Sequence, residues 1–501
     1  MELPEALYYA AQSRQLDRLA IERGGIAGYE LMQRAGAAAF SLLRARWPRA
    51  RRVTVVCGPG NNGGDGYVIA RLAAEAGLQP LVLALGDPTR LRGDALTARR
   101  AAMEHAGVTA EPFSTEALQG SEVIVDALFG TGLEREVADE WRSAIDAINA
   151  TAEAAVLAID IPSGLHADSG RVLGVAVQAH VTISFIGLKT GLFTARGRDY
   201  CGDIAFDNLG VSADLYDEVT PSARRISERS LTGLPLRRRR STHKGDVGHV
   251  AVIGGAPGMA GAARLAGEAA ARTGAGLVTL MTHPAHAASL GLGRPELLTH
   301  ALAEDTSLSA ALRRATVLAI GPGLGQERWA RDVFVRALDC PQPKVVDADA
   351  LNLLAAEPLK RDDWILTPHP GEAARLLGTS AAEVQAQRFD ALQALLERYG
   401  GVCVLKGAGT VIGKAGAPDV WLCDAGNPGM ASGGMGDILT GIVAALLAQR
   451  LDPFVAARVG VWLHATAADD AAQPDGEIGL LASDLLPFVR RRLNQLSAYA
   501  R

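Results

Sequence analysis

Aromatic residues make up only 5% of this chain, and its five cysteines (Cys57, Cys201, Cys340, Cys403 and Cys423) form no CxxC pair. No histidine cluster has metal-ligand spacing either. Together these absences exclude a disulfide or zinc framework and point to a reducing compartment, so a cytoplasmic protein is expected. No run of about 18 apolar residues occurs, which excludes a helical membrane span. Residues Met1–Glu5 lack the basic region and apolar core of an export leader, so none is expected. The net charge of −5 argues against a dedicated nucleic-acid binder, which would carry a strongly basic balance. Glycine, by contrast, is abundant at 56 of 501 residues, without the period of a collagen. It signals many tight loops where backbone can approach a ligand. With 48% hydrophobic and 21% charged residues the chain is globular, long enough for two large domains.

Short β-branched runs alternate with Ala/Leu-rich stretches. The first half offers strands at Val53–Cys57, Leu81–Leu85, Val123–Leu128, Val156–Ile161 and Val181–Phe185. The second offers His249–Gly254, Leu277–Met281, Val317–Gly321, Lys344–Asp347, Trp364–Thr367 and Val402–Lys406. Apolar strands separated by helices predict parallel sheets covered on both faces. The rhythm stops near Gly210. Residues 211–245 carry eight basic against four acidic residues and end in the run Arg237–Arg240, read as a solvated connection. The expected plan is α/β, with two doubly wound domains at 1–212 and 241–495 joined by a linker at 213–240.

In the first half, Val53–Cys57 leads into Gly58-Pro-Gly-Asn-Asn-Gly-Gly-Asp-Gly66, and a helix is predicted over Tyr67–Ala76. A glycine-rich strand-to-helix turn presents backbone N–H groups to an anion. The run is neither a Walker loop nor a GxGxxG fingerprint. Two further strands end in Asp126-Ala-Leu-Phe-Gly-Thr-Gly132 and Asp160-Ile-Pro-Ser-Gly164. Because parallel strands share one carboxyl edge, Asn62, Asp126, Asp160 and Ser163 can converge there. Such oxygen donors suit a hard cation, and a carboxylate among them suits proton transfer; each Asp can equally cap a turn.

These three motifs, in this order, resemble the YjeF N-terminal family of NAD(P)H-hydrate epimerases over about residues 1–210. The resemblance implies that Asn61, Asn62, Gly63, Gly64 and Asp65, with Gly130, Thr131, Gly132, Leu133, Glu134, Arg135 and Glu136, hold the hydrated dinucleotide. It also implies a potassium ion (K+) on Asn62, Asp126 and Ser163, and Asp160 as the acid/base at the nicotinamide ring. Epimerisation at the hydroxyl-bearing C6 can run through ring opening or loss of water, and the sequence does not choose between them. Some members of this fold family are scaffolds in RNA metabolism.

In the second half, four motifs follow predicted strands: Gly254–Ala262, Gly321–Gly325, Thr367-Pro-His-Pro-Gly-Glu372 and Asn427–Asp437. The last, Gly433-Gly-Met-Gly-Asp437, precedes a predicted apolar helix over Ile438–Leu447. Its N–H groups suit the charge of a phosphoryl group in transfer, and Asp437 in the first turn can take a proton from an attacking hydroxyl. Lys406-Gly-Ala-Gly-Thr410 supplies another anion-friendly turn. The glycine-Asp pattern resembles the ribokinase-like superfamily. Combined with Thr242–Gly245 and the other turns, it resembles the ADP-dependent NAD(P)H-hydrate dehydratases over about 240–495. That resemblance implies Ala262, Gly323, His369 and Asp437 on the hydrated dinucleotide. It places Lys406, Gly407, Ala408, Gly409, Thr410 and Gly436 on the adenine nucleotide, with Mg2+ on its diphosphate.

The implied whole is a two-reaction enzyme whose ligands are NAD(P)H-hydrate and ADP. It dehydrates one epimer and interconverts both, with no nucleic-acid or membrane partner, and is expected to be a homo-oligomer. No short motif separates ADP from ATP as donor. The rival assignment makes the second half a kinase for a hydroxymethylpyrimidine or thiazole alcohol and the first a nucleotide-binding scaffold.

Overall fold

The computed structural model describes residues 3–87, 90–104, 108–303 and 306–498. Met1 and Glu2, on which the expectation about an export leader partly rests, lie outside the described residues. The chain divides into two compact units, Met1–Arg224 and Arg225–Arg501.

The first unit is built on a seven-stranded sheet. Its order is Thr109–Pro112, Gln79–Ala84, Arg52–Cys57, Val123–Ala127, Ala155–Ile159, Val181–Phe185 and Asp203–Asp207. Every pairing is parallel. Alternation along Arg52–Cys57 shows how both faces are used. Val53, Val55 and Cys57 belong to one apolar cluster and Val56 to another. Side chains of a strand point to opposite faces in turn, so two clusters on one strand mean helices on both sides. Chain direction across the sheet reverses between Arg52–Cys57 and Val123–Ala127, which opens a crevice at their carboxyl ends.

The second unit carries nine strands. Their order is Leu298–Ala301, Leu277–Thr282, His249–Ile253, Val317–Ile320, Lys344–Val346, Trp364–Leu366, Val402–Leu405, Thr410–Lys414 and Trp421–Cys423. The first seven run parallel and the last two return antiparallel. The switch point lies between His249–Ile253 and Val317–Ile320. The helix Met435–Ala448 is buried along nearly its whole length and packs on the helix Ala260–Arg272. Gly441 permits this approach, because a methyl group there would collide with the Ala266 carbonyl.

The expected strands all form, with ends shifted by a residue or two. Further strands, not expected from the sequence, include Thr109–Pro112, Asp203–Asp207, Leu298–Ala301, Thr410–Lys414 and Trp421–Cys423. Two helices start earlier than their apolar pattern suggests. The first begins at Asn61, not Tyr67, so most of the glycine-rich run is helical. Glycine makes this possible by closeness: a side chain at Gly63 would strike the Gly58 carbonyl, and one at Gly66 would lie 2.8 Å from both Cys57 Sγ and Ala127 Cβ. The other begins at Met435, not Ile438, with Gly434 as a left-handed cap at φ 91°. The stretch 213–240 is packed, with short elements at Ala213–Tyr216, Ala223–Arg225 and Arg229–Leu231. Leu215 and Val219 join the core of the first unit; Ile226, Leu231 and Leu236 join that of the second. Arg237–Arg240 are exposed, and Arg238 donates to the Gly274 carbonyl.

Candidate active sites

At the carboxyl edge of the first sheet lies a cleft of about 720 Å³. Asn61, Asn62, Asp65, the run Gly130–Arg135 and Asp160 all line it. Gly63 and Gly64 do not: they face inward, Gly64 against Met32 and Ala95, and serve close packing. Glu136 is exposed and is not among the lining residues.

Asp126, at the end of its strand, is fully buried. Ser163 donates its N–H to Asp126 Oδ2 at 2.8 Å and its hydroxyl to Oδ1 at 2.6 Å. The same hydroxyl oxygen accepts from the Phe129 N–H at 2.9 Å, which ties the second glycine turn to the third. Burial pushes the Asp126 carboxyl up to about 6 against the pull of these hydrogen bonds. The buried side-chain amide nitrogen of Asn62 has no hydrogen-bond partner, and Gly130 lies close by: a methyl there would be 3.6 Å from Asn62 Cβ. The three residues expected on a cation are thus near the same turn.

Asp160 adopts φ 69°, the left-handed region that Asp tolerates better than most residues. That backbone turn aims its carboxylate back at the following strand. Lys189 Nζ donates to it, and the Phe185 N–H approaches at 3.4 Å. Lys189 itself is buried. Sequence reasoning missed this lysine, which follows the strand Val181–Phe185 by four residues, and also missed Asp17 in the same cleft.

In the second unit the strand ends gather a network around Lys406. Its Nζ lies 2.7 Å from Asp347 Oδ1 and 3.7 Å from Glu372 Oε2. Asp347 Oδ2 accepts from Thr440 Oγ1 at 2.6 Å. These carboxylates raise the lysine's pKa although burial pulls it down. Gly436 borders the pair: a methyl group there would sit 3.4 Å from Lys406 Nζ and 3.6 Å from Asp347 Oδ2. Asp437, one residue on, is pushed up to about 7 by burial and by Asp347, with Lys406 opposing.

The turn Lys406–Thr410 bends through Gly407 and Gly409 at positive φ. Arg388, fully buried, donates to the carbonyls of Leu405, Lys406 and Gly409 at 3.0 to 3.2 Å and so fixes the turn from beneath. His369 caps the helix Pro370–Leu377, its Nδ1 accepting from the Gly371 N–H at 2.9 Å. Burial and Lys406 lower its pKa, so the ring is neutral. Gly323 lies next to Ala262, whose Cβ would be 3.1 Å from a methyl at Gly323. Ala262, Gly323, His369, Lys406, Gly436 and Asp437 therefore all occupy the ends of adjacent strands or the helices that follow them.

A family model described as YjeF-related protein N-terminus matches residues 28–191, and one described as NAD(P)H-hydrate dehydratase matches residues 250–491. The bifunctional NAD(P)H-hydrate repair enzyme Nnr of Coxiella burnetii is 51% identical, with 97% of this chain and 99% of the relative aligned. That of Escherichia coli is 45% identical over 99% and 95%.

The chain belongs to the bifunctional NAD(P)H-hydrate repair enzymes.

Among solved structures, a ribokinase-like superfamily protein of Enterococcus faecalis is 29% identical. It covers 55% of this chain and 97% of its own, with a TM-score of 0.51. The two units correspond to the two named parts: the YjeF-related match falls in the first and the dehydratase match in the second. The vitamin-precursor kinase reading of the second half is not favoured. No helix among the described residues is long and apolar enough to cross a membrane.

Proposed function

We infer that the first unit interconverts the R and S epimers of NAD(P)H-hydrate and the second dehydrates the S epimer, with ADP as phosphoryl donor. The observation that carries the reading is Asp437. It stands in the first turn of a glycine-opened helix, beside the lysine of the second anion turn, with a carboxyl that titrates near neutrality. A base poised there takes the proton from the ring hydroxyl as that oxygen attacks the β-phosphate. The phosphorylated hydroxyl is a good leaving group. Its elimination yields NAD(P)H and phosphate, while the donor leaves as AMP.

Lys406, Gly407, Ala408, Gly409, Thr410 and Gly436 would hold the nucleotide, and Ala262, Gly323, His369 and Asp437 the hydrated dinucleotide. Lys406 is committed to Asp347, so it offers charge from a fixed place instead of swinging toward the phosphates. Among the described residues no group of three or more His, Cys, Asp or Glu side chains could cage a metal ion. This suits Mg2+ arriving on the diphosphate, where it would neutralise charge during transfer.

In the first unit Asn61, Asn62, Asp65 and the run Gly130–Arg135 would hold the dinucleotide, and Asp160 would act on the ring. Asn62, Asp126 and Ser163 would ligate potassium. With the Asn62 amide turned over so that its oxygen takes the place of the orphaned nitrogen, an amide oxygen, a carboxylate and a hydroxyl fit a hard cation. The ion would supply positive charge beside the Phe129–Leu133 turn. Five buried cysteines suit a cytoplasmic location. We read the assembly as a homo-oligomer on the exposed apolar side chains Leu292, Ile478 and Leu481, and light scattering in solution checks it.

The test separates the two halves. Asp437→Asn should abolish NADH formation from the S epimer while the exchange of epimers continues. Loss of both, or of neither, contradicts the assignment.

A further inference from the structure

The cleft of the first unit is lined by five carboxyl groups, Asp17, Asp65, Asp94, Glu134 and Asp160, by Arg14 and Arg135, and by a single buried ammonium, Lys189. The lysine is fully spent. Its Nζ donates to Asp160 Oδ1, to Ser184 Oγ at 3.2 Å and to the Phe185 carbonyl at 3.1 Å, which uses all three of its protons. One cation can neutralise one carboxylate, and the geometry shows which one it serves. Asp17 and Asp65 face the same cleft without that partner.

We propose that Asp17, on the helix Ala10–Glu22, is the second proton-transfer group of the epimerase cleft, and that Lys189 is the positioning residue that holds the Asp160 carboxylate in place. The proposal rests on the epimerase reading of this cleft and deepens it.

The chemistry requires two groups in opposite states. In ring opening, Asp160 removes the C6 hydroxyl proton as the C6=O bond forms and the N1–C6 bond breaks. The electron pair of that bond goes to N1, which takes a proton from Asp17. Rotation about C5–C6 presents the other face of the aldehyde. Reclosure forms N1–C6 again, returns the N1 proton to Asp17 and takes the proton on Asp160 back to oxygen. No oxidant or further reactant is needed. A carboxylate locked to an ammonium is a poor donor to a leaving hydroxide, so the pairing of Asp160 favours this route over loss of water.

Asp17 suits the role better than Asp65. Burial raises the Asp17 carboxyl to about 6, with Asp160 adding to the effect and Lys189 and Arg14 opposing it. It can therefore release and recover a proton near neutrality. Asp65 is raised well above the ordinary carboxylate range by burial, with Asp160 and Asp17 adding to the effect and Lys189 opposing it, so it is less suited to give up and recover a proton.

The experiment follows exchange of purified R and S epimers of hydrated NADPH by chromatography, over pH 5 to 9, above the uncatalysed rate. Dehydration of the S epimer by the same preparations reports integrity of the chain. D17N should lower kcat for exchange at least 100-fold with little change in KM, and should lose the fall in rate on the alkaline side. K189M should lower kcat for exchange at least tenfold with little change in KM, because Asp160 loses the donor that holds its carboxylate in place. If D17N does not fold, D17E carries the test through a displaced alkaline limb. Exchange by D17N within twofold of wild type, or an undisplaced limb in D17E, overturns the role of Asp17. Exchange by K189M within twofold of wild type overturns that of Lys189. Wild-type protein that exchanges no epimers while it dehydrates the S form overturns the epimerase reading itself.

Discussion

Lys406 and Asp347 form a close ion pair at the floor of the second site, Nζ to Oδ1 at 2.7 Å. Asp347 is almost wholly buried and its other oxygen is taken by Thr440, so the carboxylate has no freedom to leave. The pair thus fixes a positive charge where the helix Met435–Ala448 begins. Removing Asp347 leaves a largely buried ammonium with Glu372 and Asp437 as the carboxylates nearby. Asp347→Ala should cost about 3 kcal/mol of stability, as expected for breaking a buried pair by deleting one partner. Denaturant unfolding of the second unit, with dehydratase activity measured in parallel, checks it.

Gly436 has a different use. A methyl group there would meet Lys406 and Asp347 at ordinary contact distances, so the fold tolerates alanine, which is also the better helix former. The methyl would fill the space beside the fixed ammonium. Gly436→Ala should keep or slightly raise the melting temperature and raise the KM for ADP at least tenfold. An unchanged KM would show that the nucleotide does not pass this point.

Asp437 gives the second reaction its pH dependence. Its carboxyl titrates at about 7, and only the ionised form can accept the hydroxyl proton. Below pH 7 the dehydration rate should fall about tenfold per pH unit, with a plateau above it. Asp437→Asn should lower kcat by about 10²–10⁴ and flatten the profile. Stability runs the other way. The folded pKa exceeds the unfolded one, so the folded state binds the extra proton between pH 4 and 7 and loses stability as pH rises through that range. Asp437→Asn should therefore be more stable than wild type above pH 7, which thermal unfolding at pH 5 and 8 would show.

Much of this was legible in the sequence because of where the residues stand. Asp126 stands at the end of a recognisable strand and Asp160, His369 and Lys406 each follow one, and in a parallel sheet that position alone places a side chain at the ligand edge. Asp347 obeys the same rule at the end of Lys344–Val346 and could have been singled out by it. Arg388 could not: it opens a helix far from any motif, and an arginine there ordinarily faces solvent. Its role exists only because the turn Lys406–Thr410 folds onto it. Lys189 lies beyond its strand, and the left-handed backbone of Asp160 brings the two together. The glycine runs misled in one respect: they start helices pressed against backbone, where they resemble open loops in sequence.

Ser163 links two turns of the first site. Ser163→Ala removes the 2.6 Å hydrogen bond to buried Asp126 and orphans the Phe129 N–H. About 1–3 kcal/mol of stability should go with the unpaired groups. If potassium binds there, the concentration giving half-maximal epimer exchange should rise at least tenfold, with sodium unable to substitute. Potassium titration of wild type and variant tests both statements.

The central claim is that one chain rescues both epimers. The most direct measurement mixes R and S hydrated NADH with the intact protein, magnesium and potassium, and follows NADH absorbance with ADP, with ATP and with no nucleotide. The account predicts conversion of nearly all the substrate, faster than uncatalysed exchange allows, and only with nucleotide present. Conversion that stops at the S fraction, or proceeds without nucleotide, would contradict it.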